Sequence, residues 1–264
     1  MMHKDVSLFA SSYDAFSRDG FVVLRQFADS ADVDALRSTV LLQLGEAAPP
    51  VELEVDVRYP GAPSDRQAAG GHTVRRLLDA YGRGEVFRKW ATHSGIGEWL
   101  AGYYGSAVFM SRVHHNCVMT KHPHYGSLTG WHRDIRYWSF NRPALISTWL
   151  ALGHEVADNG GLWFIPGSHE ADFVSEQFDA QSFFRTDLDI NQPWLDRAVC
   201  PVLAPGDVVF FDCRTLHAAR RNTSDAVKLS VLHPYRPSGC EPIPGTRSAS
   251  LRDIPLSLGV APSP

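Results

Sequence analysis

Two histidines and one aspartate are spaced in a way that suits a mononuclear metal site. His132 and Asp134 are two positions apart, so on an extended strand both side chains project to the same face. His217, at the end of the segment Phe210–His217, would supply a third ligand. Two imidazoles and one carboxylate on one side of a metal leave the opposite positions open, which suits non-haem Fe(II). The three residues therefore predict an iron site with room for O2 and a co-substrate.

A His-x-Asp pair alone is weak evidence, because the chain has 12 histidines and such pairs are common. Further segments strengthen it. The pair is followed by the aromatic, proline-terminated stretch Ile135–Pro143 and by the β-rich run Leu145–Leu152. The segment Asn159–His169 then reads Asn-Gly-Gly-Leu-Trp-Phe-Ile-Pro-Gly-Ser-His, and His217 follows it.

From about residue 13 to about 236 the chain resembles the phytanoyl-CoA dioxygenase family of Fe(II)/2-oxoglutarate-dependent oxygenases, which has these motifs in the same order. The resemblance implies a mainly β protein with helical additions and a double-stranded β-helix (jelly-roll, cupin-like) core. It implies Fe(II) held by His132, Asp134 and His217, with 2-oxoglutarate and O2 as co-substrates. The implied reaction hydroxylates a small organic substrate and releases succinate and CO2. Related halogenases have a small residue in place of the carboxylate, so Asp134 favours hydroxylation.

The far carboxylate of 2-oxoglutarate needs a cation, because a buried unpaired carboxylate costs several kcal/mol. The family places an arginine eleven residues after the distal histidine, and Lys228 stands there in this chain. Lysine pairs as a point charge and lacks the bidentate fork of a guanidinium. Ser230 shares the strand face of Lys228 and could add a hydrogen bond. Arg220 and Arg221 are alternatives, but they lie in a predicted solvated turn, whereas Lys228 begins a predicted strand.

The resemblance also points to Trp149 and Cys117 as neighbours of the co-substrate. Where the family often has a hydroxyl, two residues after the distal histidine, this chain has Ala219, which removes one contact. Taken alone, Asn159–Gly161 predicts a turn that shapes the barrel wall and needs no ligand. For the same reason we expect His169 to be structural or solvent-facing rather than a ligand.

These residues need a scaffold, and the pattern favours one domain over residues 1–264. We expect an N-terminal helical cover over about 10–104, a jelly-roll core over about 105–236 and an irregular tail over 237–264. Residues 46–73 are rich in proline and glycine, so we expect an irregular segment, a lid or disorder. Two packing helices are predicted, one capped by Ser30 and ended by Gly45, the other opening near Ser94. Their apolar positions are Val33, Leu36, Val40 and Leu44 in the first and Ile96, Trp99 and Leu100 in the second.

Composition limits the class of protein. The chain has 264 residues, of which 44% are hydrophobic and 20% charged, as in ordinary globular proteins. A net charge of −4 gives no reason to expect nucleic acid, and no basic run suggests a membrane surface. We see neither a membrane span nor a signal peptide, so the expected location is the cytoplasm. Its four cysteines form no C-x-x-C pair. The expected partner is a small-molecule substrate, and the oligomeric state is left open.

Three other functions use similar ligands. A cupin-type metal enzyme would not need 2-oxoglutarate, and a zinc hydrolase would need a general base that is not obvious here. A non-catalytic metal-binding jelly-roll module is the third. The substrate is not determined by family membership. A pocket for an anionic or CoA-linked substrate could be lined by Arg112, His114, Arg136, Tyr137, Trp138 and the 46–73 segment. Tyr137, Trp138 and Phe140 could equally be packing at the barrel rim.

Overall fold

The computed structural model describes residues 6–257, a chain of short strands with helices gathered towards the N-terminus. The helices are α1 (Val6–Asp19), α2 (Ser30–Gly45), α3 (Glu54–Val57), α4 (Glu85–Ala91), α5 (Ser94–Tyr104) and α6 (Gln192–Leu195). The strands are β1 (Phe21–Leu24), β2 (Val51–Leu53), β3 (Val74–Leu78), β4 (Val108–Met110), β5 (Cys117–Lys121), β6 (Thr129–His132), β7 (Ile146–Ala151), β8 (Leu162–Phe164), β9 (Val208–Asp212), β10 (His217–Ala219), β11 (Lys228–Pro237) and β12 (Ile254–Pro255).

Within residues 6–257 the strands form two antiparallel sheets. The major sheet has nine strands, in the order β1-β9-β7-β11-β5-β3-β2, and β4 joins it by pairing with β11 and β12. The minor sheet has three strands, in the order β6-β10-β8. The predicted fold class, a mainly β jelly roll with helical additions, is confirmed. Both strands that end or begin at a predicted ligand, β6 and β10, lie side by side in the minor sheet.

Alternating side chains of the major sheet build two cores. Trp149 and Phe211 face inwards and pack with Phe164 of the minor sheet, so they fill the space between the sheets. Their chain neighbours Leu150 and Phe210 face outwards and pack against the helices. Because successive residues of a strand point to opposite faces, β7 and β9 are buried on both sides. The inner core is where the candidate ligands converge.

The two predicted packing helices are present. α2 buries Val33, Leu36 and Val40, and α5 buries Ile96, Trp99 and Leu100. The predicted cap was wrong by one residue, because Ser30 is the first helical residue and Asp29 occupies the cap position without a side-chain hydrogen bond. None of the helices within residues 6–257 is long and apolar enough to cross a lipid bilayer.

The interpretation of residues 46–73 as wholly irregular was wrong. The segment contains β2 and α3, and β2 extends the major sheet by pairing with β3. Three residues are too few to show a hydrophobic period, so the sequence pattern could not reveal this strand. The predicted helical cover likewise contributes β1, β2 and β3 to the sheet. In the predicted tail, β12 pairs with β4, and residues 258–264 lie outside the described part.

Candidate metal centre and adjoining chamber

The three predicted ligands meet where the edge strand β6 of the minor sheet pairs with its central strand β10. His132 is the last residue of β6 and His217 the first of β10, and the two are directly paired across the strands. The expectation that Asp134 lies on the same strand was wrong, because β6 ends at His132 and a 3-10 turn begins at Asp134. Arg133 between them keeps extended backbone angles, with φ −113° and ψ 136°. The alternation therefore still places His132 and Asp134 side by side.

The candidate ligand atoms form a tight and buried group. One ligand atom from each of His132, Asp134 and His217 lies within 4.8 Å of the others, and all three residues are buried. The Nε2 atoms of His217 and His132 lie 3.4 and 3.7 Å from Oδ1 of Asp134. Neither carboxylate oxygen of Asp134 has a hydrogen bond of good geometry. A buried carboxylate without such bonds is costly unless a cation meets it, so the arrangement fits a metal ion.

Both imidazoles present the nitrogen that a metal needs. Nδ1 of His132 lies 2.8 Å from the carbonyl oxygen of Gly130, and Nδ1 of His217 lies 3.0 Å from that of Thr215. A carbonyl only accepts, so each Nδ1 must carry a proton, and in the neutral ring Nε2 is then the nitrogen with the lone pair. Such backbone partners are typical of metal-binding histidines because they determine the tautomer.

The protonation states of the group also suit a cation. Burial, and then the neighbouring His217, lowers the pKa of His132 well below its ordinary value, so this imidazole is neutral. Burial alone would raise the pKa of Asp134. The imidazoles of His115 and His217 outweigh that effect and keep the pKa well below its ordinary value. The site therefore presents one carboxylate and a neutral imidazole at the pH of a cell.

A third histidine, His115, lies beside the carboxylate from outside the triad. Its Nδ1 lies 3.1 Å from Oδ2 of Asp134, on the side away from the two other imidazoles. His115 has φ +46°, a left-handed conformation that is uncommon for residues other than glycine, asparagine and aspartate. Its ring packs edge-on against Trp138. Sequence reasoning missed His115, because a histidine in the loop before β5 gives no spacing signal.

We expect His115→Ala to weaken iron binding by about 10–100-fold, the usual loss when a group that orients a metal ligand is removed. His115→Asn should recover part of it, because asparagine tolerates positive φ and keeps a donor. Anaerobic titration with Fe(II) measures both. His114→Ala is the matched control, since Nε2 of His114 contacts Oγ of Ser248 instead of the triad. Equal iron affinity in His115→Ala and the wild type would exclude this role.

A narrow pocket of about 40 Å³ adjoins the triad, and the predicted anchor lies in its wall. Lys228, at the start of β11 as predicted, and Trp149 both line it. Lys228 Nζ is 3.1 Å from Oγ of Ser230, so the two predicted neighbours do meet. Nζ is also 3.1 Å from Oε2 of Glu155, a completely buried carboxylate that sequence reasoning missed. Whether Lys228 holds a co-substrate stays a prediction, and in the structure its charge is already paired with that of Glu155.

The remaining sequence candidates lie elsewhere. Cys117 is buried beside Met119, with sulfurs 3.7 Å apart, and burial raises the pKa of its thiol to about 11. The exposed Arg220 lies over the Trp163 ring, and Arg221 donates to the carbonyl of His124, so both belong to the surface turn as expected. His169 is structural, since it is buried and its Nε2 lies 3.2 Å from the carbonyl oxygen of Ser17.

Beside the narrow pocket lies a chamber of about 610 Å³, which we call the outer chamber. Arg76 and His115 line both cavities and form the boundary between them. The predicted pocket residues Arg112, His114, Tyr137 and Trp138 line the chamber, together with Val57 and Tyr59 of the 46–73 segment. Arg136 does not line it, because Arg136 donates to the carbonyl oxygens of Gln181 and Ser182.

The jelly-roll fold and a site of two histidines and one carboxylate are together typical of a non-haem iron oxygenase. A family model for phytanoyl-CoA dioxygenase (PhyH) matches residues 16–230. The chain therefore belongs to the phytanoyl-CoA dioxygenase family, and membership makes it an Fe(II)/2-oxoglutarate-dependent oxygenase, as the sequence resemblance predicted.

Individual relatives are distant. The chain is 23% identical to the peroxisomal phytanoyl-CoA dioxygenase of Bos taurus over 235 residues, 85% of this chain and 67% of the relative. The structure of EctD from S. alaskensis with 2-oxoglutarate and 5-hydroxyectoine superposes with a TM-score of 0.75 at 20% identity, covering 92% of this chain and 81% of that one. The structure of the epimerase SnoN from nogalamycin biosynthesis superposes with a TM-score of 0.72 at 22% identity, covering 96% of this chain and 96% of that one. These similarities support the fold and leave the substrate open.

Proposed function

We propose that this chain is a single-domain, cytoplasmic hydroxylase in which His132, Asp134 and His217 bind Fe(II). 2-Oxoglutarate and O2 are consumed, and succinate and CO2 are released as a small organic substrate is hydroxylated. The observation that supports this most strongly is the convergence of two Nε2 lone pairs and an unbonded carboxylate within 4.8 Å. A module that binds no metal would gain nothing from that costly buried arrangement.

The protein residues hold and orient the metal and the co-substrates, and these supply the oxidation. When bound, they deliver one oxygen atom of O2 to the substrate and the other to succinate. The backbone carbonyls of Gly130 and Thr215 accept from Nδ1 of His132 and His217, which leaves each Nε2 as the nitrogen that can bind the metal. His115 holds the outer oxygen of Asp134. Lys228 and Trp149 receive the co-substrate in the narrow pocket.

The outer chamber is the proposed site of the primary substrate. Three guanidinium groups, those of Arg76, Arg112 and Arg247, face two carboxylates, those of Glu52 and Asp79. Nε of Arg112 is buried without a hydrogen-bond partner, and its nearest acid, Asp79, is 3.9 Å from Nη2. The aromatic rings of Tyr59, Tyr137 and Trp138 also line the chamber. The chamber therefore suits a small substrate with an apolar body and an anionic group, which Arg112 would pair.

The decisive experiment is purification without oxygen, followed by Fe(II) loading and 2-oxoglutarate addition. We expect one Fe(II) per chain, binding of 2-oxoglutarate that depends on the metal, and succinate release when air is admitted. Adding small carboxylic acids should accelerate succinate release for those that fit the outer chamber. Zn(II) loading is the control and should give no succinate. A protein that binds Fe(II) but neither binds nor consumes 2-oxoglutarate would contradict the proposal.

A further inference from the structure

Two lysines oppose each other inside the sheet, at the far end of the narrow pocket. Lys121 ends β5 and Lys228 begins β11, and the two are direct partners in the antiparallel register. Both are buried and both line the narrow pocket with the triad. Like charges directly opposite on paired strands repel each other. A buried lysine pair of this kind therefore requires anions.

Only one of the two lysines has its own carboxylate. Glu155, completely buried, accepts from Lys228 Nζ at 3.1 Å, from Ser230 Oγ at 2.6 Å and from Trp149 Nε1 at 3.1 Å. Lys121 Nζ instead donates to the carbonyl oxygen of Ser127 at 2.6 Å. Within residues 6–257 no carboxylate oxygen lies within ion-pair distance of Lys121.

The charged side chains around Lys121 and Lys228 include one more cation than carboxylates. Arg75 is 3.3 Å from Glu52 and 3.7 Å from Glu54, and Arg76 is 3.4 Å from Glu52. With Lys228 paired to Glu155, the cations number four and the carboxylates three. When Lys121 is protonated, its charge is the unmatched one. A ligand with one more carboxylate would complete the balance.

The backbone makes room for Lys121 to reach the pocket. Gly160, in the Asn-Gly-Gly turn, has φ +81°, and a Cβ there would lie 2.6 Å from Cγ of Lys121. Any side chain at this position would press on the lysine stem. The turn that sequence reasoning took as purely structural thus also leaves space for a buried cation.

We propose that Lys121 is the second cation of the co-substrate anchor, so that Lys121 and Lys228 together bind the distal carboxylate of 2-oxoglutarate while Glu155 positions Lys228. The proposal rests on the proposed function, because it concerns the co-substrate of that site. It assigns Glu155 a positioning role, since Glu155 touches Lys228 and Ser230.

Proton uptake on binding follows from the surroundings of Lys121. Burial, followed by the charge of Arg75, lowers the pKa of Lys121 to about 7, and Lys228 and Arg76 act in the same direction. Glu54 opposes them. A carboxylate bound at Lys121 favours its charged form and raises the pKa in the complex. The affinity for 2-oxoglutarate is therefore full below pH 7 and falls as pH rises above it.

The test compares two ligands on Fe(II)-loaded protein without oxygen, by calorimetry. 2-Oxoglutarate has the distal carboxylate, and 2-oxopentanoate has a methyl group in its place. We expect Lys121→Met to bind 2-oxoglutarate at least about tenfold more weakly and to bind 2-oxopentanoate like the wild type. Unchanged 2-oxopentanoate binding shows that the variant is folded. Lys89→Met is the control, because Lys89 is an exposed lysine paired with Asp32.

A second measurement needs no variant. In two buffers of different ionisation enthalpy at pH 8, the wild type should take up close to one proton with 2-oxoglutarate and none with 2-oxopentanoate. Equal affinity of Lys121→Met and wild type for 2-oxoglutarate would overturn the role of Lys121, and no proton uptake by the wild type would overturn the coupling of binding to its protonation. Failure of the wild type to bind 2-oxoglutarate at all would instead refute the proposed function.

Discussion

His132→Ala, Asp134→Ala and His217→Ala should each reduce turnover by about a thousandfold or more. The loss should exceed the 10–100-fold expected of groups that only orient ligands, because each of the three would supply a metal bond directly. Iron binding should fall together with turnover, and it is measured as the Fe(II) that each variant retains after anaerobic gel filtration. His154→Ala is the control, since His154 is exposed and lines neither the narrow pocket nor the outer chamber. Wild-type turnover in any of the three variants would exclude that residue as a ligand.

The same variants should remain folded, which separates loss of metal from loss of structure. In the metal-free protein Asp134 is buried with neither oxygen well hydrogen-bonded, and the imidazoles of His115 and His217 offset the cost of burying its carboxylate. We expect Asp134→Ala to leave the free energy of unfolding of the metal-free protein unchanged or higher, as measured by denaturant titration. Functional groups often reduce stability in this way. A large decrease would show that Asp134 is a packing residue.

Lys228→Ala should raise the apparent KM for 2-oxoglutarate by roughly two to four powers of ten. Removing one partner from a buried ion pair typically costs about 3–5 kcal/mol, and each tenfold change corresponds to about 1.4 kcal/mol. Fe(II) affinity should not change, because Lys228 pairs with Glu155 and Ser230 instead of the triad. Steady-state kinetics at several 2-oxoglutarate concentrations measures the effect. An unchanged KM would mean that another cation binds the distal carboxylate of 2-oxoglutarate, and Lys121 would be tested next.

The variant also leaves Glu155 buried without its cation, so its stability should fall. A second change distinguishes the two effects. Lys228→Ala with Glu155→Gln replaces the buried carboxylate by a neutral amide that can still bond to Trp149 and Ser230. We expect this double variant to regain most of the lost free energy of unfolding while its KM for 2-oxoglutarate stays high. If the free energy of unfolding and the KM for 2-oxoglutarate both returned to wild-type values, Lys228 would stabilise the fold without binding the co-substrate.

The sequence predicted what depends on spacing and residue type. His132, Asp134 and His217 meet as expected, and Lys228 begins a strand with Ser230 on its face. These predictions succeeded because strand alternation holds through Arg133, although the strand itself ends one residue earlier. The helices α2 and α5 were also predicted, since their buried residues recur at helical spacing.

What the sequence did not reveal depends on contacts between distant segments. Glu155 lies in a loop, and only the fold shows that it is completely buried against Lys228. Lys121 looks like an ordinary strand-end lysine until the register places it opposite Lys228. His115 lies in a loop with no periodic pattern, and β2 is three residues long. None of these features has a local sequence signature, because burial and strand pairing depend on residues that are distant in the sequence.

The first strand of the chain has a consequence for how this protein is made. β1 pairs only with β9 in the major sheet, and the hydroxyl of Thr215, two residues before His217, donates to the carbonyl of Gly20, 195 positions earlier. At a synthesis rate of about 5–20 residues per second, β1 must wait roughly 10 to 40 s on the ribosome before its partner exists. Closing so long a loop is slow, and the apolar edge of β9 stays open until it closes. The loop that leads into the metal site is thus completed late in folding, so Fe(II) should be acquired only after β1 and β9 have paired.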